Sequence, residues 1–344
     1  MDVSLANEDK VLKKNKSVDI LKSPSLEYKY NITGKDKLLS RPIVVGSGPS
    51  GLFCAYFLAE AGFRPIVLER GEKVEDRVLS VEKFFNSNKL NTSSNVQFGE
   101  GGAGTFSDGK LNTLVKDKFN RGRKVFEIFV ENGAPSEIMY DAHPHIGTDI
   151  LRNVIKNIRE KIISMGGEFR YNSCVTDIYI SNDSITGVQV NNSYDISTDI
   201  VVLAIGHSAR DTFHLLYDKG ISMRPKNFAV GVRIEHPRSM IDWNQYGKFS
   251  KVLGAASYKL THTTSSGRGV YSFCMCPGGF VVNASSEEGR LVVNGMSNYK
   301  RDEKNSNSAL VVTVGPKDFG NNPMDGIESV SYTHLRAHET RGNL

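Results

Sequence analysis

The stretch that decides the fold runs from Arg41 to Gly71 and reads RPIVVGSGPSGLFCAYFLAEAGFRPIVLERG. It begins with a short β-branched run at residues 43–45, which is typical of a buried parallel strand. The glycine-rich turn GSGPSG follows at once, and the apolar residues 52–61 predict a buried helix that ends at Gly62. Residues 65–68 predict a second strand. The pattern is therefore strand, tight turn, helix and strand.

Each glycine of this turn has a physical reason to be there. Gly46 permits the tight turn, Gly48 lets a pyrophosphate approach the backbone, and Gly51 lets the helix lie close to the strand. The helix N-terminus, with Pro49 at its start, offers free N–H groups and a positive dipole end to phosphates. Glu69 follows at the spacing of a carboxylate that binds both ribose hydroxyls and repels a 2′-phosphate. We therefore predict a dinucleotide site of Rossmann-like α/β type without NADP, against the alternative of a chance glycine turn.

Composition sets bounds on the class of protein. The chain has 344 residues, of which 39% are hydrophobic and 24% charged, and its net charge of +5 does not by itself imply a nucleic-acid partner. Its four cysteines are too few for a disulfide framework, which favours a reducing cytoplasm. No apolar run approaches the length of a membrane helix, and the first residues lack the apolar core of a signal peptide.

The chain divides into five predicted regions. Residues 1–40 form a polar leader, with SLEYKYNI (residues 25–32) as an edge-strand candidate, and residues 41–221 form the dinucleotide-binding domain. Residues 222–314 are strand-rich and are expected to form a substrate region, and residues 315–330 begin a return segment. The end, SYTHLRAHETRGNL at residues 331–344, has no periodicity and resembles translated adaptor read-through, so we expect a fragment with a non-native tail.

A second glycine-rich loop runs from residue 91 to residue 113 and reads NTSSNVQFGEGGAGTFSDGKLNT. The spacing from Gly104 to Lys110 matches a Walker A loop, but Leu111 stands where Ser or Thr must hold magnesium, and Asp108 would repel phosphate. A loop of this length inside a domain is usually functional. We expect its backbone to close over the same dinucleotide, the alternative being a tight structural turn.

Helical periodicity predicts helices at residues 74–85 and 124–131, and a third that follows Thr148 as its N-cap. His143 and His145 precede the third helix. With no third ligand at a recognisable spacing, a hydrogen-bonded loop is favoured over a metal site.

From residue 168 the hydrophobic period changes to two, and residues 174–180, 185–190 and 199–203 predict a three-stranded antiparallel meander. The last strand runs into Ala204 and a turn of small residues, which is again a place where backbone meets a cofactor. His207 in this turn is a polar loop residue or, less favoured, a donor to cofactor or substrate.

The strand-rich region has strand candidates at residues 228–235, 256–260, 270–275, 279–282, 291–293 and 310–314. Cys274 and Cys276 lie on one face of one such strand. Half-buried structural thiols are the favoured interpretation, and a redox or metal pair is the alternative.

Together these motifs resemble the bacterial FAD-dependent dehydrogenases, NAD(P)/FAD-dependent flavoproteins of the glutathione-reductase-like superfamily. The motifs are GSGPSG with LERG, FGEGGAGTFSDGKLNT, PHIGTD, AIGHSARDTF, FCMCPGG, VVNASSEEG, LVVNGMSNYKRD and NSNSALVV, spread over residues 42–312. The resemblance implies a Rossmann-like FAD-binding domain with a meander and an inserted mixed or antiparallel sheet on the substrate side.

The resemblance also implies roles for individual residues. The ADP half of FAD would be held by Gly46, Gly48, Ser50, Gly51, Glu69 and Arg70. The pyrophosphate and ring would be approached by Gly101, Gly102, Ala103, Gly104 and Thr105. Val175 would touch the adenine, and Gly206 would close the site. The Gly- and Ala-rich motif that such families carry late in the chain, beside the isoalloxazine, is missing from this sequence.

The expected function is that of an FAD-dependent oxidoreductase whose flavin carries hydride or electrons to or from a small-molecule substrate. No second glycine fingerprint is visible, so NAD(P)H or another electron carrier would bind transiently at the flavin face. The sequence identifies no catalytic acid or base, and Lys110, His207 and Cys274 are guesses only. Two alternatives stay open: a flavoprotein that modifies RNA, with nucleic acid disfavoured, and a simple NAD-dependent dehydrogenase.

Overall fold

The computed structural model describes residues 6–15, 20–23, 25–30, 34, 37–111 and 116–330. The helices are α1 (Glu8–Lys14), α2 (Pro49–Glu60), α3 (Val74–Ser87), α4 (Arg121–Glu131), α5 (Thr148–Ser164), α6 (Arg210–Asp218), α7 (Arg238–Tyr246) and α8 (Pro316–Phe319). The strands are β1 (Ile43–Val45), β2 (Ile66–Leu68), β3 (Glu168–Arg170), β4 (Val175–Ser181), β5 (Ser184–Val190), β6 (Tyr194–Ser197), β7 (Val201–Leu203), β8 (Phe228–Pro237), β9 (Thr261–Thr263), β10 (Gly269–Cys276), β11 (Phe280–Asn283), β12 (Val293–Met296) and β13 (Asn305–Val314). Short 3-10 helices lie at Gly102–Phe106, Ser136–Met139 and Gly247–Phe249.

A parallel sheet in the order β3-β2-β1-β7 forms the centre of the region between residues 41 and 221. Alternate residues of β1 face opposite layers, because successive side chains on a strand point to opposite faces. Val44 packs with α2 and α5, whereas Ile43 and Val45 pack with the strands of the meander. The sheet is therefore covered on both faces, as a parallel sheet requires, and the predicted α/β fold is confirmed.

The meander differs in one strand from the prediction. It consists of β4, β5 and β6, and its third strand, Tyr194–Ser197, was not predicted. The predicted third strand at residues 199–203 is wrong as a meander strand, because Val201–Leu203 pairs with β1 in the parallel sheet. Asn191 and Asn192 both adopt positive φ and form the tight hairpin turn between β5 and β6. The residues of this hairpin are polar, so its second strand was not recognised in the sequence.

Helices α3 and α4 confirm the predicted helices at residues 74–85 and 124–131. The third helix is also present, but Thr148 is its first residue and Gly147 precedes it as the cap. The Thr148 hydroxyl donates to the carbonyl oxygen of Thr105 at 2.5 Å. The predicted N-cap is therefore wrong, and the side chain instead joins α5 to the second glycine loop.

The strand-rich region forms an antiparallel sheet in the order β8-β13-β10-β9 and a separate β11-β12 hairpin. Strands were predicted in all of these places except β9. The strand predicted at residues 256–260 is wrong, since pairing begins only at Thr261, and the one predicted at residues 291–293 lies at Val293–Met296. Helix α7 was not predicted.

Residues 25–30 of the SLEYKYNI segment form no strand, so that prediction is wrong for its described part. Tyr30 packs its ring on Phe57 of α2 and donates its hydroxyl hydrogen to Glu60 at 2.6 Å. The rest of that segment, and the tail at residues 331–344, lie outside the described residues. None of the helices in the described ranges combines the length and the apolar character needed to cross a membrane.

Candidate cofactor site

A cavity of about 620 Å³ opens at the carboxyl ends of β1, β2 and β7. Open parallel sheets bind ligands at this edge, and the volume is typical of a small-molecule or cofactor site. Both glycine-rich loops contribute to its wall, through Gly46 to Ser50 from the first loop and Gly102 to Gly104 from the second.

The first loop owes its shape to contacts that exclude side chains. Gly46 has φ +98°, and a Cβ there would stand 2.5 Å from the carbonyl oxygen of Ala204. A Cβ on Gly51 would stand 1.9 Å from the carbonyl oxygen of Gly46, so the helix approaches the strand as closely as predicted. A Cβ on Gly48 would meet only the Cα of Gly102, at 3.8 Å. Gly46 and Gly51 therefore serve packing, and Gly48 leaves its side open to the cavity.

The second loop is joined directly to the first. The Gly101 N–H donates to the carbonyl oxygen of Ser47 at 2.8 Å. A Cβ on Gly102 would stand 3.0 Å from the Cα of Gly48, so the two backbones run side by side at the cavity wall. The structure thus brings both predicted loops to one cavity.

Glu69 at the end of β2 has a task beyond the predicted ribose contact. Its Oε2 accepts hydrogen bonds from the Ser47 amide at 2.8 Å and from the Ser47 hydroxyl at 2.7 Å. Its Oε1 accepts from the amides of Gly71 at 2.9 Å and Gly99 at 3.1 Å. These four donors occupy the capacity of a carboxylate, so Glu69 ties both glycine loops to the strand. Its contact with a ribose stays a prediction.

Arg77 of α3 is the residue that sequence reasoning missed. Its side chain is fully buried, and its guanidinium lies 4.8 Å from the centre of the Phe106 ring. The guanidinium donates to the carbonyl oxygens of Asn95, Val96, Gly99 and Glu100, at 2.6 to 3.3 Å. Burial lowers its pKa to about 10, against the opposing effect of nearby carboxylates, so it stays charged at neutral pH. Arg77 therefore holds the second loop through the carbonyl oxygens of its backbone.

The neighbouring Glu100 fixes the same loop to α3, to α5 and to the residue that follows β3. Its carboxylate is fully buried and accepts from the Val74 amide, from Arg159 and from the Tyr171 hydroxyl, each at 2.7 Å. Burial is the first cause that raises its pKa. The loop is therefore held by a buried charge network and not by regular secondary structure.

Most of the predicted cofactor-binding residues line the cavity. These are Gly46, Gly48, Pro49, Ser50, Glu69, Arg70, Gly102, Ala103, Gly104, Val175, Ala204 and Gly206. Gly51, Gly101 and Thr105 lie outside its wall. Thr105 is fully buried near Arg77, and a Cβ on Gly101 would collide with Thr105 and Ile155. Both residues therefore shape the loop, and their predicted contact with the cofactor stays a prediction.

Charged and polar side chains complete the wall. Arg70 lies over the Phe98 ring at 4.5 Å and donates to Asp211 at 2.9 Å. The imidazole of His207 lines the cavity, where desolvation by the surrounding wall first, and the nearby Arg210 second, lower its pKa. It is therefore neutral at pH 7 and able both to donate and to accept a hydrogen bond.

Lys110 and His145, which the sequence also singled out, lie off this wall. Lys110 is paired with the buried Asp108 at 3.2 Å and reaches Met275 and Cys276 of β10. The ring of His145 stacks on Tyr299, and its Nε2 lies 3.0 Å from the Tyr299 carbonyl oxygen, as a loop histidine would. Across the described ranges, no group of three or more His, Cys, Asp or Glu side chains is arranged to hold a metal ion.

Two family models match the chain. One, described as an NAD(P)-binding Rossmann-like domain, matches residues 44–91, and the other, described as the C-terminal-domain-like part of an FAD-dependent protein, matches residues 227–343. A Clostridium beijerinckii relative named only as an uncharacterized protein is 52% identical over 300 residues. The alignment covers 86% of this chain and 56% of the relative, so the chain spans little more than half of that protein's length.

Among solved structures, the halogenase PltM in complex with FAD is 12% identical, with a TM-score of 0.39 over 86% of this chain and 56% of that chain. Thermovibrio ammonificans THI4 is 18% identical, with a TM-score of 0.34 over 53% of this chain and 63% of that chain. Likenesses this distant carry no argument about function.

The fold and the two family matches describe an α/β protein with a Rossmann-like domain that is similar to FAD-dependent proteins, and they support FAD as its cofactor. The cavity fits that cofactor. A Cβ on Gly104 or Gly206 would meet nothing within 4 Å, and the side of Gly48 is nearly as free, so backbone is bare where a large ligand must approach.

Proposed function

We propose that the chain carries the FAD site of a dehydrogenase that exchanges a hydride or electrons with a small-molecule substrate. The observation that carries this proposal is the pairing of two glycine loops, hydrogen-bonded from Gly101 to Ser47, at the carboxyl edge of the parallel sheet. A single glycine turn would serve any dinucleotide. The second loop extends the bare backbone wall from Gly48 to Gly104, as a long two-part cofactor needs.

The residues of the cavity divide by position. The N-terminus of α2 at Pro49 and Ser50 would hold the pyrophosphate, because the first turn of a helix has N–H groups without intrahelical partners. Val175 and Arg70 line the wall beyond the end of β2, where the adenosine half would lie. Gly102 to Gly104 would line the path toward the ring. When bound, FAD supplies the two-electron chemistry that no side chain can supply.

The substrate and its electron partner are part of the same proposal. The sheet of residues 222–314 would cover the flavin face, and a nicotinamide or another carrier would bind there transiently. His207, neutral at pH 7 and exposed in the cavity wall, can hold a substrate oxygen or nitrogen by a hydrogen bond. The cytoplasm stays the expected compartment.

The deciding experiment is FAD binding by the full chain, read as visible absorption of the purified protein and by titration of the apoprotein. Two alanine variants give a matched pair, since a Cβ meets nothing within 4 Å at Gly104 or at Gly269. Gly104 lines the cavity, whereas Gly269 lies in β10. We expect Gly104→Ala to weaken FAD binding about tenfold, which is about 1.4 kcal/mol. Gly269→Ala should bind as the parent does.

The same titration distinguishes the alternatives. Tight binding of NAD with no binding of FAD would overturn the proposal in favour of a simple dehydrogenase. Equal loss of FAD affinity in both variants would show that the cavity is not the site.

A further inference from the structure

Cys274 and Cys276 of β10 lie at an irregularity that the proposed flavin chemistry does not use. Between Phe273 and Cys276 the pairing of β10 with β13 shifts register, so β10 carries one extra residue. Cys274 takes φ +48° in this bulge, an uncommon conformation for a residue with a Cβ. Strained positions of this kind concentrate at functional sites.

The bulge gives the two thiols unequal roles. Cys276 is fully buried, whereas Cys274 is partly exposed. The Cys276 thiol lies 3.4 Å from the Cys274 carbonyl oxygen, to which it can donate a hydrogen bond, so the two residues are in contact. An accessible thiol with a buried partner in contact is the arrangement of an attacking and a resolving cysteine.

The surroundings favour a thiolate at Cys274. The hydrogen bond from Cys276 is the first cause that lowers the pKa of Cys274 to about 5; burial opposes it, and the charges of Lys110 and Arg233 support it. The same contact and burial raise the pKa of Cys276. Asp108 is the opposing charge, and it is itself neutralised by Lys110 and Arg301.

One buried hydrogen-bond donor near the two cysteines has no partner among the described residues. The side-chain amide nitrogen of Asn307, on the strand paired with Cys276, makes no hydrogen bond to any of the described residues. Its Oδ1 accepts from Arg233 at 2.6 Å, and Asn307 is fully buried. A buried unsatisfied donor is costly in a protein interior, and this one lies on the strand that pairs with Cys276.

We propose that Cys274 and Cys276 form a dithiol–disulfide exchange site that reduces a low-molecular-weight disulfide. The Cys274 thiolate attacks one sulfur of the substrate, the substrate S–S bond breaks, and the first thiolate leaves. That thiolate takes the proton of Cys276, which then attacks the Cys274 sulfur and expels the second thiolate, and the second thiolate takes a proton from water. Two cysteines are oxidised to one disulfide and one substrate disulfide is reduced to two thiols. This chemistry is independent of the proposed flavin function.

The test exposes the reduced full-length chain to oxidised glutathione and identifies the products by intact mass and peptide mapping. We expect a Cys274–Cys276 disulfide in the parent and a stable glutathione adduct on Cys274 in Cys276→Ser, where the serine hydroxyl preserves the donor. Cys274→Ser should form neither product. Cys54→Ser and Cys174→Ser are the matched controls and should behave as the parent does.

A second measurement does not depend on variants. The alkylation rate of Cys274 by iodoacetamide in the parent should rise with pH to a plateau, with a midpoint well below that of an ordinary thiol, because only the thiolate reacts. A midpoint at the pH of an ordinary thiol would overturn the proposal. So would a parent chain that stays fully reduced, or one in which Cys54 or Cys174 carries the modification instead.

Discussion

The two glycine loops that meet at the cavity are held by different kinds of interaction. The first loop is determined locally, since β1 precedes it, α2 follows it, and the close contact of Gly51 with Gly46 sets the distance between them. Over its described residues, 91–111, the second loop has one short 3-10 helix. It is held by Arg77 of α3 and, through its own Glu100, by Arg159 and Tyr171. The first loop therefore depends on contacts between residues that are close in the chain, whereas the second loop depends on buried charged side chains.

This difference shows how a loop with little regular secondary structure can still form a fixed wall of the cavity. Backbone carbonyls that lack a helix or sheet partner must be satisfied in another way when they are buried. A single guanidinium with five N–H donors satisfies several of them at once, and Gly99 has no Cβ where the Arg77 side chain passes. The second loop is therefore as dependent on one arginine as the first is on its glycines.

The largest effect should come from Arg77→Met, which keeps the apolar stem and removes the donors. Four carbonyl oxygens of the loop would lose their partner, and we expect a loss of about 4 kcal/mol of unfolding free energy. Urea denaturation measures the loss, and hydrogen exchange should show it first at residues 95–105.

The matched control for this change is Arg224→Met, because Arg224 is exposed. It should alter the unfolding free energy by less than about 0.5 kcal/mol. If Arg77→Met lost no more than the control, the second loop would not depend on Arg77, and the contrast between the two loops would fail.

The first loop could be predicted because its signals are adjacent in the chain. Strand, glycines, helix and Glu69 lie within residues 41–71, and the structure places them as the spacing indicates. That both loops share one cavity could also be predicted, from the length and glycine content of the second loop. Such patterns depend on local conformation, which sequence carries directly.

The rest depends on partners that are distant in sequence. Arg77 occupies the buried stripe of α3 between Val74 and Val81, and an arginine in that stripe was the one available signal. Likewise, residues 201–203 look like a continuation of the meander, although they pair with β1, more than 150 residues away. Sequence pattern identifies a strand but not its neighbour.

Gly51→Ala should have the next largest effect, and it acts on the first loop alone. The new Cβ would stand 1.9 Å from the Gly46 carbonyl oxygen, so helix α2 must move away from β1. Overpacking of this kind costs about 2 to 3 kcal/mol. The measurement is again urea denaturation, with protection lost around residues 43–60 rather than 95–105.

Gly122→Ala is the matched control, because Gly122 also lies in the first turn of a helix. There the Cβ meets only the carboxylate of Asp117, at 3.2 Å, which accepts from the Gly122 amide and has to give by only a few tenths of an ångström. Since alanine favours helix, this variant should be neutral or more stable by up to about 1 kcal/mol. A similar loss in both variants would contradict the packing role of Gly51.

Glu69→Gln should have the smallest of the three effects, but it acts on both loops together. The amide group keeps one acceptor oxygen and turns the other into a donor, so either the two Ser47 contacts or the two contacts to Gly71 and Gly99 must break. We expect a loss of about 2 kcal/mol of unfolding free energy, the size of a hydrogen bond to a charged group.

Glu288→Gln, at an exposed position, controls for the loss of charge. Reduced protection confined to one loop would show which oxygen the glutamine gives up. Unchanged protection in both loops would mean that the carboxylate is free for the ribose, as the sequence first indicated.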